Sequence, residues 1–391
     1  MEPDPRRIRL VAAGIAMVAS TFGLARYGYG LLLPEIRHSF RLSSTSLGLI
    51  ATGSYAAYLV TTAAMAAVGD RAGPRRPVLL GGSCAVAGMA VIALAGSPAV
   101  LALGVMVAGA SAALAYPPFS EAVTDALPRR AQGRALSIIS SGTGWGVAVA
   151  VVIALLAGTS WRYAWAAFAA VALLATALAA LALRGGGRAA RSARADPTPL
   201  SWSWFVCPRS GPLLIGALLV GAGASVYWTF AADFAARSGA GRSAGPVLLG
   251  VVGVSSVLGS AAGDVLERLG GRRALRLSAT GLAASMCLLA LSHGSWAVLM
   301  LSAAAFGATY NVLLAVQAIW STRVFASRPA TGLAAVLFML GIGQIVGPAL
   351  AGLLADGVGL AAAFFAGGAV ILTCGLLPPR EELRAAARSP G

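Results

Sequence analysis

The chain of 391 residues is 58% hydrophobic and only 11% charged, whereas a soluble globular protein carries about 25% charged residues. Together with a mean hydropathy of +0.82, this composition excludes an ordinary water-soluble domain and favours a chain that lies mostly in lipid. The net charge of +16 comes from arginines in short loops between apolar runs, which argues against nucleic acid as a partner and is typical of membrane loops.

Residues suited to metal binding and catalysis are scarce. The histidines, His38 and His293, lie in predicted loops, and the four cysteines are far apart with no CxxC pair. Zinc sites and disulfide frameworks need such residues at characteristic spacings, and most acid–base catalysis uses histidine. We therefore expect no metal, no cofactor and no enzymatic activity.

The apolar runs are long enough to cross a bilayer, which takes about 20 residues of helix. Since lipid offers no partners to backbone polar groups, these runs should be helices and not strands. We expect the first to be a retained helix and not a cleaved signal peptide, because no small-residue cleavage site follows it. The sequence predicts transmembrane helices at 10–33, 45–68, 77–96, 99–122, 134–157, 163–183, 211–233, 245–263, 274–292, 296–320, 332–354 and 360–377.

Arginine placement predicts the orientation in the membrane. With the N-terminus inside, 23 of the 29 arginines fall in cytoplasmic segments, five fall in external loops, and Arg26 alone lies within a helix. Cytoplasmic loops carry the excess of positive charge in membrane proteins. We therefore expect both termini in the cytoplasm of a bacterial inner membrane.

A charged loop occurs twice in the chain. Residues 69–76 read Gly-Asp-Arg-Ala-Gly-Pro-Arg-Arg, and residues 267–273 read Glu-Arg-Leu-Gly-Gly-Arg-Arg, so that Asp70 matches Glu267 at an offset of 197 residues. A Gly-, Arg-, Ser- and Pro-rich stretch between helices six and seven reads as a flexible linker. The predicted fold is all-α, with twelve helices in two pseudo-symmetric bundles, 1–184 and 211–391, joined by a cytoplasmic linker at 185–210.

The first copy of this loop resembles the loop 2–3 motif of the major facilitator superfamily. It departs from the family pattern at Ala66, where glycine is usual, and at Pro74, which separates Gly73 from Arg75. The resemblance implies two parallel halves that rock around a central site, a small-molecule substrate, a possible coupling ion and a monomer in the bilayer. The stretch at 22–34 also resembles the first helix of the YbfB/YjiJ-type branch of bacterial members.

The resemblance also implies a cytoplasmic gate. Asp70 would face the N-terminus of helix eleven, and Glu267 the start of helix five by pseudo-symmetry. A carboxylate at a helix N-terminus contributes about 0.3–1 kcal/mol when exposed, which suits a contact that must open and close. A plain topology signal is the alternative interpretation. The predicted gate residues are Asp70, Arg71, Gly73, Arg75, Arg76, Glu121, Glu267, Arg268 and Arg272.

Arg26 is the residue that points most directly to a function. It lies about 7–8 Å beyond the predicted midpoint of the first helix, at 1.5 Å per residue, where a charge costs at least about 2.5–3.5 kcal/mol and marks a function by default. It would attract an anionic substrate group, or it would have a structural role, either snorkelling outward or pairing with Asp233 or Glu35. The sequence leaves both interpretations open.

Polar and aromatic residues near mid-depth complete the predicted site, although each is also explained by packing. A cavity lined in this way would bind a small, partly apolar solute. No acidic residue occupies the middle of a predicted helix, so no proton relay is indicated. The substrate-binding candidates are Arg26, Tyr29, Tyr55, Tyr116, Trp145, Tyr227, Trp228, Asn311 and Gln344.

These observations predict a secondary transporter that moves a small organic solute, with an anion favoured by Arg26, by alternating access. Efflux of amphipathic drugs or metabolites is the alternative within transport, with a structural Arg26. A polytopic sensor that binds a ligand without transporting it is the alternative from another class.

Overall fold

A computed structural model describes residues 5–68, 73–184, 210–256, 269–326 and 329–377. Among these residues the regular elements are all helices, joined by short turns and loops, with no strand. The all-α prediction is therefore confirmed. The predicted linker at 185–210 lies outside the described residues, apart from Ser210.

Most helices of the N-terminal half coincide with predicted segments, but the first and fifth predicted segments are each divided. Long apolar runs without charge leave the helix as the only element that satisfies every backbone group in lipid. The elements are α1 (Pro5–Val18), a π-helix (Ala19–Arg26), α2 (Gly28–Leu31), α3 (Leu33–Phe40), α4 (Ser44–Val68), α5 (Arg75–Ala93), α6 (Pro98–Ala126), α7 (Arg129–Ser140), α8 (Gly142–Ala157) and α9 (Trp161–Ala182).

The helices of the C-terminal half also coincide with predicted segments. The eighth predicted segment is described only in its first part, which forms α11. The elements are α10 (Gly211–Arg237), α11 (Ala244–Ser255), α12 (Gly271–Ala290), α13 (Trp296–Val324), α14 (Pro329–Gly357) and α15 (Leu360–Leu376).

Most of these helices are able to span a membrane. Nine helical stretches among the described residues are long and apolar enough to cross a bilayer, and two shorter apolar helices, α11 and α15, accompany them. The protein is therefore a multi-pass membrane protein.

The chain divides into two compact units by its internal contacts. One unit comprises Met1–Arg41 and Gly53–Thr198, and the other comprises Leu42–Thr52 and Pro199–Gly391. In the N-terminal unit α5 packs against α6 and α9, and in the C-terminal unit α10 packs against α14 and α15. Helix α4 is divided, because its first residues count with the C-terminal unit.

The first predicted helix differs most from expectation. The sequence predicts one helix over 10–33, whereas the structure has an α-helix, an eight-residue π-helix and two short α-helices. Within the π-helix, the Thr21 hydroxyl donates to the Met17 carbonyl at 2.8 Å. Such a side-chain bond competes with the backbone ladder, and π-helical turns occur mostly as short insertions near functional sites. Arg26 is the last residue of this segment.

Glycine allows α8 to approach this segment at backbone distance. A Cβ atom on Gly146 would stand 2.8 Å from the backbone Cα and carbonyl carbon of Ala19, and one on Gly142 would stand 2.6 Å from the carbonyl oxygen of Ile15. Small residues let transmembrane helices pack this closely. The position of the π-helix, and so of Arg26, is therefore set by contact with α8.

Candidate functional site

Arg26 lies against aromatic rings in the N-terminal unit. Its guanidinium carbon is 4.0 Å from the ring centre of Tyr58, 5.1 Å from that of Tyr55 and 5.9 Å from that of Phe22. All three distances are within the range of a cation–π interaction. The arginine is partly buried, so aromatic faces enclose the charge without covering it completely.

Helical spacing explains how these rings meet the arginine. Phe22 and Arg26 are four residues apart in the π-helix, and Tyr55 and Tyr58 are three apart on α4, so each pair shares a helix face. Phe22 also makes edge-on contacts, with ring centres 6.3 Å from Tyr58 and 5.9 Å from Tyr116. We call Phe22, Arg26, Tyr55, Tyr58 and Tyr116 the arginine cluster.

A hydroxyl pair lies at one end of the arginine cluster. The phenol oxygen of Tyr116 on α6 is 2.7 Å from the hydroxyl oxygen of Ser140 at the end of α7. Ser140 is exposed and Tyr116 is partly buried. Either hydroxyl can donate, so this end of the cluster can both donate a hydrogen bond to a solute and accept one from it.

Two further binding candidates belong to this unit. Tyr29 on α2 is 4% exposed. Trp145 on α8 is 65% exposed, between the two glycines that contact the first helix. The role of both residues in binding stays a prediction.

The C-terminal unit holds a separate aromatic stack. Tyr227 on α10 stacks on Phe306 of α13 with ring centres 3.9 Å apart, and Phe306 stacks on Tyr310 at 5.6 Å. Trp228 makes edge-on contacts with both Phe306 and Tyr310. Such pairs contribute about 0.5–1.5 kcal/mol beyond the area they bury, so this stack fixes the packing of α10 on α13.

The hydroxyl of Tyr227 is engaged within this stack. It lies 3.0 Å from the Ser302 hydroxyl, which in turn donates to the Ser285 carbonyl at 2.7 Å. All three residues are buried. This arrangement suits a structural role for Tyr227, while Trp228, at 9% exposure, lies at the margin of the stack.

The last two binding candidates lie on α13 and α14. The Asn311 amide donates to the Gly307 carbonyl at 3.2 Å, one turn back on its own helix. Gln344 is 8% exposed and lies four residues before Pro348 within α14. Proline lacks the N–H that would bond to the Gln344 carbonyl in a regular α-helix. Both assignments stay predictions.

Of the predicted gate, only part falls within the described residues. Gly73 has a φ of +65°, a conformation that glycine adopts at little cost, and it leads into α5, where Arg75 and Arg76 are exposed. Glu121 is partly buried near the end of α6, and Arg272 is exposed at the start of α12. Asp70, Arg71, Glu267 and Arg268 lie outside the described residues, so the gate stays a prediction.

Several residues of these clusters were not among the sequence candidates. Phe22 had a usable signal, since it precedes Arg26 by one helical turn. Ser140, Ser302 and Phe306 had none, because their importance depends on which helices become neighbours. Tyr58, in contrast, is predicted to lie near mid-depth together with Tyr55, and of the two it makes the closer contact with Arg26.

The sequence matches the model of one protein family. The family model described as the Major Facilitator Superfamily matches residues 15–276 and 213–389. No match is found among curated proteins. The assignment to the YbfB/YjiJ-type branch stays a prediction.

Solved structures with a similar fold include three transporters. A mutant of the nucleoside transporter NupG superposes with a TM-score of 0.78 at 15% identity, covering 94% of this chain and 98% of its own. A mutant of the peptide transporter POT gives 0.75 at 17%, covering 98% and 94%. A bacterial homologue of the human lysosomal transporter Spinster gives 0.72 at 18%, covering 96% and 95%. At these identities the likeness shows the fold.

Proposed function

Because the chain belongs to the Major Facilitator Superfamily, we propose that it is a secondary transporter that moves a small organic anion across a bacterial inner membrane by alternating access. Transport across a membrane is the family's activity. The anionic character of the solute is supported by one observation, the position of Arg26 among three aromatic rings.

The physical argument begins with the cost of the arginine. A charged side chain in the hydrocarbon region is retained where it has a partner or faces water. The rings of Tyr55, Tyr58 and Phe22 stabilise the guanidinium through their electron-rich faces. Arg26 is also partly exposed. A carboxylate or similar group on a solute that reaches the exposed part would bind it through charge-assisted hydrogen bonds.

The competing interpretation is a structural ion pair. Asp233, one of the two proposed partners, is 1% exposed and lies 3.8 Å from Arg237 on the same helix. That contact gives the carboxylate a cationic neighbour within its own helix. The Arg26 variants described in the Discussion separate this interpretation from contact with a solute.

Transport itself is tested by counterflow. Purified protein is first screened for thermal stabilisation by a panel of small organic anions, matched neutral analogues and amphipathic cations, at several pH values. We expect one or more anions to raise the melting temperature and then to show saturable counterflow in proteoliposomes. Stabilisation without counterflow would indicate a sensor. Stabilisation by amphipathic cations alone would indicate the efflux alternative.

A further prediction concerns Tyr58. Replacement with leucine removes the closest cation–π contact of Arg26, which is worth about 0.5–2 kcal/mol, so affinity for the anion should fall by roughly 2- to 30-fold. Tyr58→Phe retains the ring and should bind nearly as the parent protein does. The measurement is a titration of the identified anion followed by thermal shift. Tyr163→Leu, at a residue 76% exposed, is the control, and an equal loss in that variant would contradict the prediction.

Orientation and gating belong to the same proposal. The bias of the arginines supports cytoplasmic termini. The repeated loop supports a cytoplasmic latch formed through Asp70 and Glu267, with energies small enough to reverse during each cycle. The pH and sodium dependence of counterflow identifies any coupling ion.

A further inference from the structure

The ring of Phe22 links the guanidinium of Arg26 to the hydroxyl pair of Tyr116 and Ser140. Its centre is 5.9 Å from the guanidinium carbon and 5.9 Å from the ring centre of Tyr116. The phenol oxygen of Tyr116 lies 2.7 Å from the Ser140 hydroxyl oxygen, and all four residues belong to the N-terminal unit. A positive charge, an apolar ring and a hydrogen-bonding pair are therefore connected through two ring contacts.

These groups are accessible as well as close together. Phe22, Arg26 and Tyr116 are partly exposed, and Ser140 is exposed. Binding sites for small molecules are mostly apolar, with a few polar groups that fix the orientation of the ligand. The described side chains have this composition, because one ring surface separates the charge from the two hydroxyls.

The hydroxyl pair keeps a hydrogen that the protein does not use. The neighbouring Ser141 hydroxyl donates to the Ile138 carbonyl of its own helix at 2.6 Å, whereas the Ser140 hydroxyl bonds to Tyr116. Each hydroxyl carries one hydrogen, and the bond between them uses one of the two. Among the described residues, the second hydrogen has no acceptor, so a solute oxygen can accept it.

Packing behind the pair holds its two helices in place. Phe119, three residues after Tyr116 on α6, and Ile139, directly before Ser140 on α7, are each 1% exposed. A Cβ atom on Gly14 of α1 would stand 2.9 Å from both of these side chains. Since close-packed interiors resist small displacements, the hydroxyl pair is positioned before any solute arrives.

We propose that the hydroxyl pair of Tyr116 and Ser140 selects organic anions that carry a second polar group, a hydroxyl or a carbonyl, beyond an apolar body. The carboxylate would bind at Arg26, the apolar body would lie on the ring of Phe22, and the distal group would exchange hydrogen bonds with the pair. This inference rests on the proposed function, because it takes Arg26 as the site of the carboxylate. The substrate class is then an amphipathic hydroxy or oxo acid.

The alternative is that the pair only joins α6 to α7. Loss of the pair would then lower stability and would weaken the binding of all acids to the same extent. The ratio of the affinities for a hydroxylated acid and for its parent acid separates the two roles, because a structural loss affects both members of such a couple equally.

Matched couples of acids provide the test. The probes are para-hydroxyphenylacetate with phenylacetate, their propionate homologues, and omega-hydroxyoctanoate with octanoate, titrated against the purified full-length protein and followed by thermal shift. In at least one couple the hydroxylated acid should bind about 3- to 10-fold more tightly, which is the gain that one neutral hydrogen bond supplies. No preference in any couple, or no binding of any hydroxylated acid, would overturn the inference.

Variants of the pair show whether it is the source of the preference. The double variant Tyr116→Phe with Ser140→Ala removes both hydroxyls and retains the aromatic ring, so the affinity ratio should fall to about one. Ser141→Ala is the matched control, because that hydroxyl is bonded within its own helix, and it should retain the full ratio. A double variant that also retains the full ratio would contradict the proposal.

Two further measurements cover the remaining outcomes. If the double variant aggregates, Tyr116→Phe and Ser140→Ala are tested singly, and retention of the full ratio by both would overturn the inference. The neutral amide of para-hydroxyphenylpropionate reports on charge alone. Equal binding of the acid and the amide would contradict the anion specificity assigned to Arg26, whereas a preference for acids without a preference for the hydroxyl would contradict only the role of the pair.

Discussion

Replacing Arg26 with alanine is expected to abolish saturable counterflow of the anion that the protein binds. Hydrogen bonds to a charged group contribute about 1.5–3 kcal/mol, so the affinity for the anion should fall by roughly 10- to 150-fold. Neutral analogues of the same size should lose far less. The measurements are thermal-shift titration for binding and proteoliposome counterflow for transport.

The chain supplies a matched control for this substitution. Arg162 is also stacked on aromatic rings, 4.3 Å from the ring centre of Trp161 and 5.7 Å from that of Phe40, and it donates to the Ala95 carbonyl at 2.8 Å. It lies at the start of α9, near the end of the bundle. Arg162→Ala should therefore leave anion binding unchanged while removing a comparable set of contacts.

A third variant separates charge from shape. Arg26→Lys retains the positive charge but loses the planar fork that binds a carboxylate through two parallel hydrogen bonds. We expect binding between that of the parent protein and that of the alanine variant. If Arg26→Ala weakens the binding of anions and neutral solutes equally, or lowers the melting temperature without changing affinity, Arg26 is structural and the proposed anion specificity is wrong.

Replacing Gly146 with leucine is expected to have the second large effect, on folding. The new Cβ would stand 2.8 Å from two backbone atoms of Ala19, and backbone cannot rotate aside as a flexible side chain would. Overpacking a close contact costs about 1–3 kcal/mol, and here it would also push α8 away from the π-helix that carries Arg26. The melting temperature should fall, and the yield of monodisperse protein should fall with it.

Gly133 provides the control for this prediction. It also lies within a helix, α7, but a Cβ there meets nothing within 4 Å. Gly133→Leu should leave stability within about 0.5 kcal/mol of the parent, as exposed substitutions usually do. Equal destabilisation by both leucines would show that the close approach of α8 is not what Gly146 supplies.

The helices were predictable because one physical constraint dominates them. In lipid a backbone must satisfy its own hydrogen bonds, so an uninterrupted apolar run such as the one that forms α10 has a single solution. The repeat of the charged loop was equally informative, because it indicated a transporter family whose members are built from two similar halves. Length, apolarity and motif spacing are all properties of the sequence alone.

The contacts within the site required the three-dimensional structure. That Arg26 lies closest to Tyr58 depends on how the π-helix meets α4, and the partnership of Tyr116 with Ser140 depends on how α6 meets α7. The sequence shows aromatic residues at suitable depth but not their neighbours.

The winding of the π-helix that ends at Arg26 determines the direction, around the helix axis, in which the Arg26 side chain points. Successive residues of an α-helix are rotated by about 100° around its axis, and a π-helical turn accommodates one residue more than an α-helical turn. Rewinding a single turn of Ala19–Arg26 into α-helix would therefore swing the guanidinium through about a quarter of a circle, away from the ring of Tyr58. The close contact of α8 with Ala19 holds the π-helix in this winding, and so it also holds the direction in which the Arg26 side chain points.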